Sequence, residues 1–164
     1  EKSDSVTQLS PASGILITGI PGHYIQNLTL ENIEIELPGK GKTEHASRQV
    51  QEAENQYPEI KTFGPFVPAY GVWARHIRNL SLKNVKFKIG EKDFRPALIL
   101  EDANEVIVDL FRSGSTNEKR AAVRLENAKN IQLVNVDGKI KPDKLIQFVN
   151  GNIENVILNN KRLR

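Results

Sequence analysis

Five segments of this chain recur at a nearly constant interval, and that rhythm limits the fold more than any other property of the sequence. Four share the pattern Asn-apolar-x-apolar-x-Asn-apolar, beginning with Asn27-Leu28-Thr29-Leu30-Glu31-Asn32-Ile33 and returning at residues 79–85, 130–136 and 155–160. A fifth, at residues 105–111, keeps the apolar positions but places Glu105 and Leu110 where the others have asparagine. The segments start at 27, 79, 105, 130 and 155, so the intervals are 52, 26, 25 and 25, the first being twice 26. A second β-rich stretch precedes the later segments, at residues 72–75, 98–101, 123–126 and 148–151. Repeats of this length holding two short strands each point to a stacked architecture. A leucine-rich repeat would show a denser leucine consensus, and a propeller blade needs about 40 residues.

The expected fold is therefore all-β: a right-handed, single-stranded parallel β-helix of about five coils of 25–26 residues, forming one domain over residues 1–164. Alternation along each strand sends Val72, Leu98, Val123 and Phe148 inward, and Trp73, Ile99, Arg124 and Val149 outward. Leu80, Val106, Ile131 and Val156 form a second inward column, and Leu82, Val108, Leu133 and Leu158 a third, with successive coils about 4.8 Å apart. The asparagines belong at bends, where they tolerate left-handed backbone and bond to their counterparts one coil away. Two of them open sequons, at Asn27 and Asn79, which the repeat already explains.

The double interval hides an insertion over residues 38–69. Thr43 and Glu44 suit a helix start, and Ala46, Val50 and Ala53 then form a thin apolar stripe. Tyr57-Pro58-Glu59 and the run from Phe63 to Tyr70 make a return stiffened by proline and rich in aromatics. Such rings either offer flat faces to sugars or pin the loop to the flank of the helix.

Composition narrows the function classes. The 38% hydrophobic content is lean but adequate for one core in 164 residues, and the absence of cysteine excludes disulfides and thiolate metal sites. Twenty-three basic and 20 acidic residues are mixed along the chain, which argues against a nucleic-acid surface. No apolar run is long enough to span a membrane, and no signal peptide opens the chain. His23, His45 and His76 lack metal-ligand spacing, so no metal or other cofactor is expected. Gly19-Ile20-Pro21-Gly22 reads as a turn and not as a phosphate loop. Residue 1 is Glu and methionine is absent throughout, so further coils are expected before Glu1.

The run Gly14-Ile15-Leu16-Ile17-Thr18-Gly19-Ile20-Pro21-Gly22-His23-Tyr24-Ile25-Gln26-Asn27, with Tyr57-Pro58-Glu59, Pro68-Ala69-Tyr70-Gly71, Arg75-His76 and Arg95-Pro96-Ala97, resembles the C-terminal part of glycoside hydrolase family 28. That family comprises polygalacturonases and their relatives, and the resemblance covers about residues 13–114. It implies a parallel β-helix, an extracellular or periplasmic location, and a pectic, acidic polysaccharide or oligosaccharide as partner. Its catalytic aspartates lie in Asn-Thr-Asp, Asp-Asp and Gly-His-Gly segments followed by Arg-Ile-Lys, and none of these occurs here. No catalytic residue is carried over; the missing motifs belong to N-terminal coils, and this chain alone is expected to be inactive.

Tyr70, Trp73, Arg75, His76 and Arg95 are the candidate substrate-binding residues. Arg75 offers a planar fork and His76 a switchable donor to a sugar carboxylate. In the competing view Arg75 pairs with Glu101, His76 caps a turn, and Arg75, Glu101 and Glu126 form a solvated charge ladder. A non-catalytic carbohydrate-binding or adhesive solenoid is the alternative reading for the whole chain.

Overall fold

The computed structural model describes residues 9–57, 59–114, 121–137 and 142–164; residues 1–8 and Pro58, included in the sequence reading, lie outside it. The fold is all-β and mostly parallel, an arrangement compatible with a β-solenoid. Among the described residues the strands are β1 (Ile15–Thr18), β2 (Ile25–Leu37), β3 (Val72–Ile89), β4 (Leu98–Arg112), β5 (Val123–Val134), β6 (Ile146–Phe148), β7 (Glu154–Leu158) and β8 (Lys161–Arg162). They form one sheet in the order β1-β3-β4-β5-β7-β8, with β2 also on β3 and β6 also on β5. Every pairing is parallel except the terminal β7–β8 hairpin.

The repeat predicts the register. Leu28 pairs with Leu80, Leu80 with Val106, Val106 with Ile131, and Ile131 with Val156. Each strand is bent by residues with positive φ at matched positions: His76, Asn79 and Asn84 in β3, Asp102, Glu105 and Leu110 in β4, Asn127 and Asn130 in β5 with Asn135 just beyond it. A left-handed residue occupies one position without advancing the alternation, so buried side chains lie two apart along straight stretches and three apart across a bend. In β3 this selects Val72, Ala74, Ile77, Leu80, Leu82, Val85 and Phe87, all essentially buried in one apolar core with their counterparts in β4 and β5. Asparagine suits these bends because it reaches the left-handed region with little penalty.

Its amide also crosses to the next strand. Asn79 Nδ2 donates to Asn27 Oδ1 (2.7 Å), Asn84 Nδ2 to Asn32 Oδ1 (2.8 Å) and Asn155 Nδ2 to Asn130 Oδ1 (2.7 Å). At the divergent repeat the ladder breaks: Glu105 has no amide to continue it, and Asn130 donates to Asn104 instead (2.9 Å).

Three expectations need correction. The stretch aligned with Val123 is Ile146–Phe148, with Ile146 and not Phe148 opposite Val123; Gln147, not Val149, follows Arg124 in the outward column. The extra residues lie in the bend before β7, where Gly151 adopts φ 87°. The helix in the insertion is a single turn, α1 (Thr43–Ala46), and does not reach Val50 or Ala53. Residues 48–52 are held instead by tertiary bonds to the sheet and return segment, which outweigh a weak helical propensity. Finally, Trp73 and Ile99 point away from the main core yet are buried, at 1% and 0% exposure, because Val67 and Ala69 of the insertion pack over them, with Val50 and Phe63 at the margin.

Leu110 holds φ 55° while 43% exposed, and Glu105 holds φ 59°, both conformations costly for their side chains. Glu105→Asn and Leu110→Asn should therefore each stabilise the fold, by roughly 1 kcal/mol. Urea denaturation of the two variants checks this, and an unchanged or lowered midpoint would contradict it.

Candidate functional site

The insertion lies against the outward face of the first stretch of β3, β4 and β5, and a connected set of charged and polar side chains runs along that seam. Glu52 is the anchor. Its Oε1 lies 3.2 Å from Arg75 Nη1 and 3.0 Å from His76 Nε2, while the same Arg75 nitrogen donates to the Val50 carbonyl at 2.9 Å. His76 Nδ1 faces Asp102 Oδ2 at 2.7 Å. Asp102 also accepts from Tyr24 Oη (2.8 Å) and Asn127 Nδ2 (2.9 Å), so it gathers three separate strands or turns. The bond to Asp102 raises the pKa of the Tyr24 phenol, with Arg78, which stacks on the Tyr24 ring at 4.1 Å, acting against it.

The register explains this gathering. His76, Asp102 and Asn127 occupy the same left-handed bend position in β3, β4 and β5 and are therefore stacked. The repeat makes Asp102 legible as the neighbour of His76, and Asn127 as the neighbour of Asp102, one strand further on each time. Glu52 and Tyr24 carry no such periodic signal.

The five sequence-predicted residues divide sharply. Tyr70 is 1% exposed; its hydroxyl donates to the Ser113 carbonyl at 3.1 Å and its ring meets Phe87 edge-on. Arg95 is buried beside Asp93 (2.8 Å) and also donates to the carbonyls of Pro11, Ala12, Val67 and Ala69, tying the N-terminal segment to the insertion's return. Gly41 passes so close to this pair that a Cβ there would overlap both side chains. Trp73 is enclosed, meeting Phe63 edge-on and Arg75 face-on, while its Nε1 donates to Glu101 Oε2 at 3.2 Å. These three are interior residues. Arg75 and His76 remain together at the seam, but Arg75 pairs with Glu52 and not with Glu101, because the insertion covers the column expected to be solvated. The aromatics of the return segment pin the loop: Phe63 lies on Trp73, and Phe66 lies under Arg48 and beside His45. Tyr57, at 79% exposure, is the exception.

Next to Glu52 the seam opens into a cleft of about 250 Å³, lined by Arg48, Gln49 and Gln51 from the insertion and by Glu101, Arg124 and Glu126 from the sheet. Arg124 Nη1 donates to the Ala46 carbonyl (2.6 Å), while its buried Nε has no partner among the described residues. Burial lowers the Arg124 pKa. Burial also raises Glu126 above the ordinary carboxylate range, reinforced by Glu101, its paired neighbour on β4, and opposed by Arg124. Comparison with protein-family models, curated proteins and solved structures gives no match to this chain.

Two outcomes follow from this geometry. Arg95→Met leaves Asp93 charged, buried and unpaired, and should cost about 3–5 kcal/mol in urea denaturation; a loss below 1 kcal/mol would show that the pair is dispensable. For Glu126 the folded state favours the protonated acid, so its stabilising contribution is present below the ordinary carboxylate pKa and is lost as pH rises through the raised value. Glu126→Gln should therefore raise the melting temperature at pH 7 and leave it nearly unchanged at pH 4; an equal gain at both would refute the assignment.

Proposed function

We propose that this chain is a right-handed, single-stranded parallel β-helix of about five coils, the C-terminal portion of a pectin-directed, extracellular or periplasmic glycoside hydrolase. In this reading it supplies scaffold and one wall of the substrate cleft. The observation that carries the proposal is the polar cleft at the seam, a small concave site lined by groups that hydrogen-bond to sugars and walled by a loop pinned to a rigid sheet. Arg75 and His76 hold that wall in place through Glu52.

The catalytic coils would precede β1 and β2. In support, the inward apolar residues of β2 (Ile25, Leu28, Leu30, Ile33 and Ile35) are only half-buried, whereas their counterparts in β3 are sealed on both sides by neighbouring strands. Among the described residues the other edge of β2 has no partner strand, and an edge of this length ordinarily needs cover.

Measurement of reducing ends released from polygalacturonate and from rhamnogalacturonan tests the assignment. The 164-residue chain should release none, yet oligosaccharides cut from pectic polysaccharide should bind it saturably, read by the fluorescence of Trp73, the sole tryptophan. Hydrolysis that is abolished by Glu101→Gln would overturn the division of labour. Saturable binding with no hydrolysis, even after N-terminal coils are restored, would favour a carbohydrate-binding module.

A further inference from the structure

Resting on the carbohydrate reading, we infer that the cleft between the insertion and the sheet is a subsite for a neutral glycosyl residue, recognised through hydroxyl donation to Glu101 and Glu126, and that it disfavours a uronate. The argument starts from what each lining group already does. Arg48 donates to the Phe66 carbonyl and stacks on the Phe66 ring, and Arg124 donates to the Ala46 carbonyl, so both guanidiniums are turned toward backbone. Glu52 is engaged by Arg75 and His76. Glu101 has one oxygen committed to Trp73 Nε1 and the other remaining, and Glu126 accepts no hydrogen bond among the described residues.

The acceptors left over are thus carboxylate oxygens, and they come as a pair. Glu101 and Glu126 occupy register-matched positions on adjacent parallel strands, on the same outward face. Ionised carboxylates are acceptors only, so their natural partners are hydroxyl or N–H donors. Two neighbouring hydroxyls of a sugar ring can donate to one carboxylate each, in charge-assisted bonds stronger than neutral ones. Gln49 and Gln51 add amides that both donate and accept, Pro68 and Val50 supply apolar wall, and the buried Arg124 Nε is a donor with no acceptor among the described residues.

Charge then sets the preference. Glu52 is taken up by Arg75 and His76, so the cleft's remaining carboxylates are Glu101 and Glu126, and its two guanidiniums, Arg48 and Arg124, donate to backbone oxygens. A uronate would bring another negative charge beside Glu101 and Glu126, where burial first and Glu101 second already raise the pKa of Glu126. A neutral residue satisfies the acceptors with its hydroxyls and adds no charge.

Calorimetric titration, with Trp73 fluorescence in parallel, should compare a neutral galacto-oligosaccharide with an oligogalacturonate of equal length. The neutral glycan should bind saturably and the uronate about ten-fold or more weakly. Glu126→Ala should weaken the neutral glycan by about ten-fold, and the isosteric Glu126→Gln, which keeps the fold and removes the charge, should narrow the discrimination. Uronate binding as tight as neutral binding, or neutral binding indifferent to both substitutions, overturns the inference. Should the uronate alone bind, the inference fails while the pectic reading stands; should neither glycan bind, both fail.

Discussion

A small set of left-handed backbone positions, repeated in register from strand to strand, determines which side chains reach the interior of this protein. Each such residue consumes one place in the chain without advancing the alternation of faces, so the apolar residues on either side of a bend stay on the same side of the sheet. Because the bends of β3, β4 and β5 coincide, Leu80, Val106 and Ile131 meet in one column and His76, Asp102 and Asn127 in another. The first column is packing. The second is a polar stack that receives Tyr24 from one side and, through His76, the insertion's Glu52 from the other.

The insertion converts one outward face into a second interior. Trp73 and Ile99 would be large apolar residues in water if residues 48–69 were elsewhere; instead Val67 and Ala69 cover them, while Arg75 on β3 donates to the Val50 carbonyl and Arg95, between β3 and β4, to those of Val67 and Ala69. The cover reaches Arg124 through the Ala46 carbonyl but leaves Glu101 and Glu126 partly open, and what remains is the cleft. The site therefore exists because a loop too polar to form its own core closes over only part of the sheet.

Much of this was legible in the sequence. The interval between Asn79, Glu105, Asn130 and Asn155 gives the register directly, and the apolar columns follow from alternation. The local limits of that reading have physical causes. Phe148 was misaligned because Ile146 is also apolar and the bend before β7 is longer than its predecessors. Tyr70, Trp73 and Arg95 read as surface residues because nothing in a period announces what packs over a strand. The register offers Arg75 its neighbour Glu101 as the competing partner to a sugar carboxylate, whereas Glu52, which is 36% exposed and belongs to no repeat, is the carboxylate that meets its guanidinium in the folded chain. Repeats reveal contacts between repeats; the contacts of an insertion must come from the fold.

The claim on which the site depends is that the insertion seals this face. Acrylamide quenching of Trp73, the sole tryptophan, tests it most directly. The account predicts blue-shifted emission and strong protection, lost together when the protein is unfolded in urea. Emission at the wavelength of free indole, quenched as readily in the native protein as in urea, would contradict it.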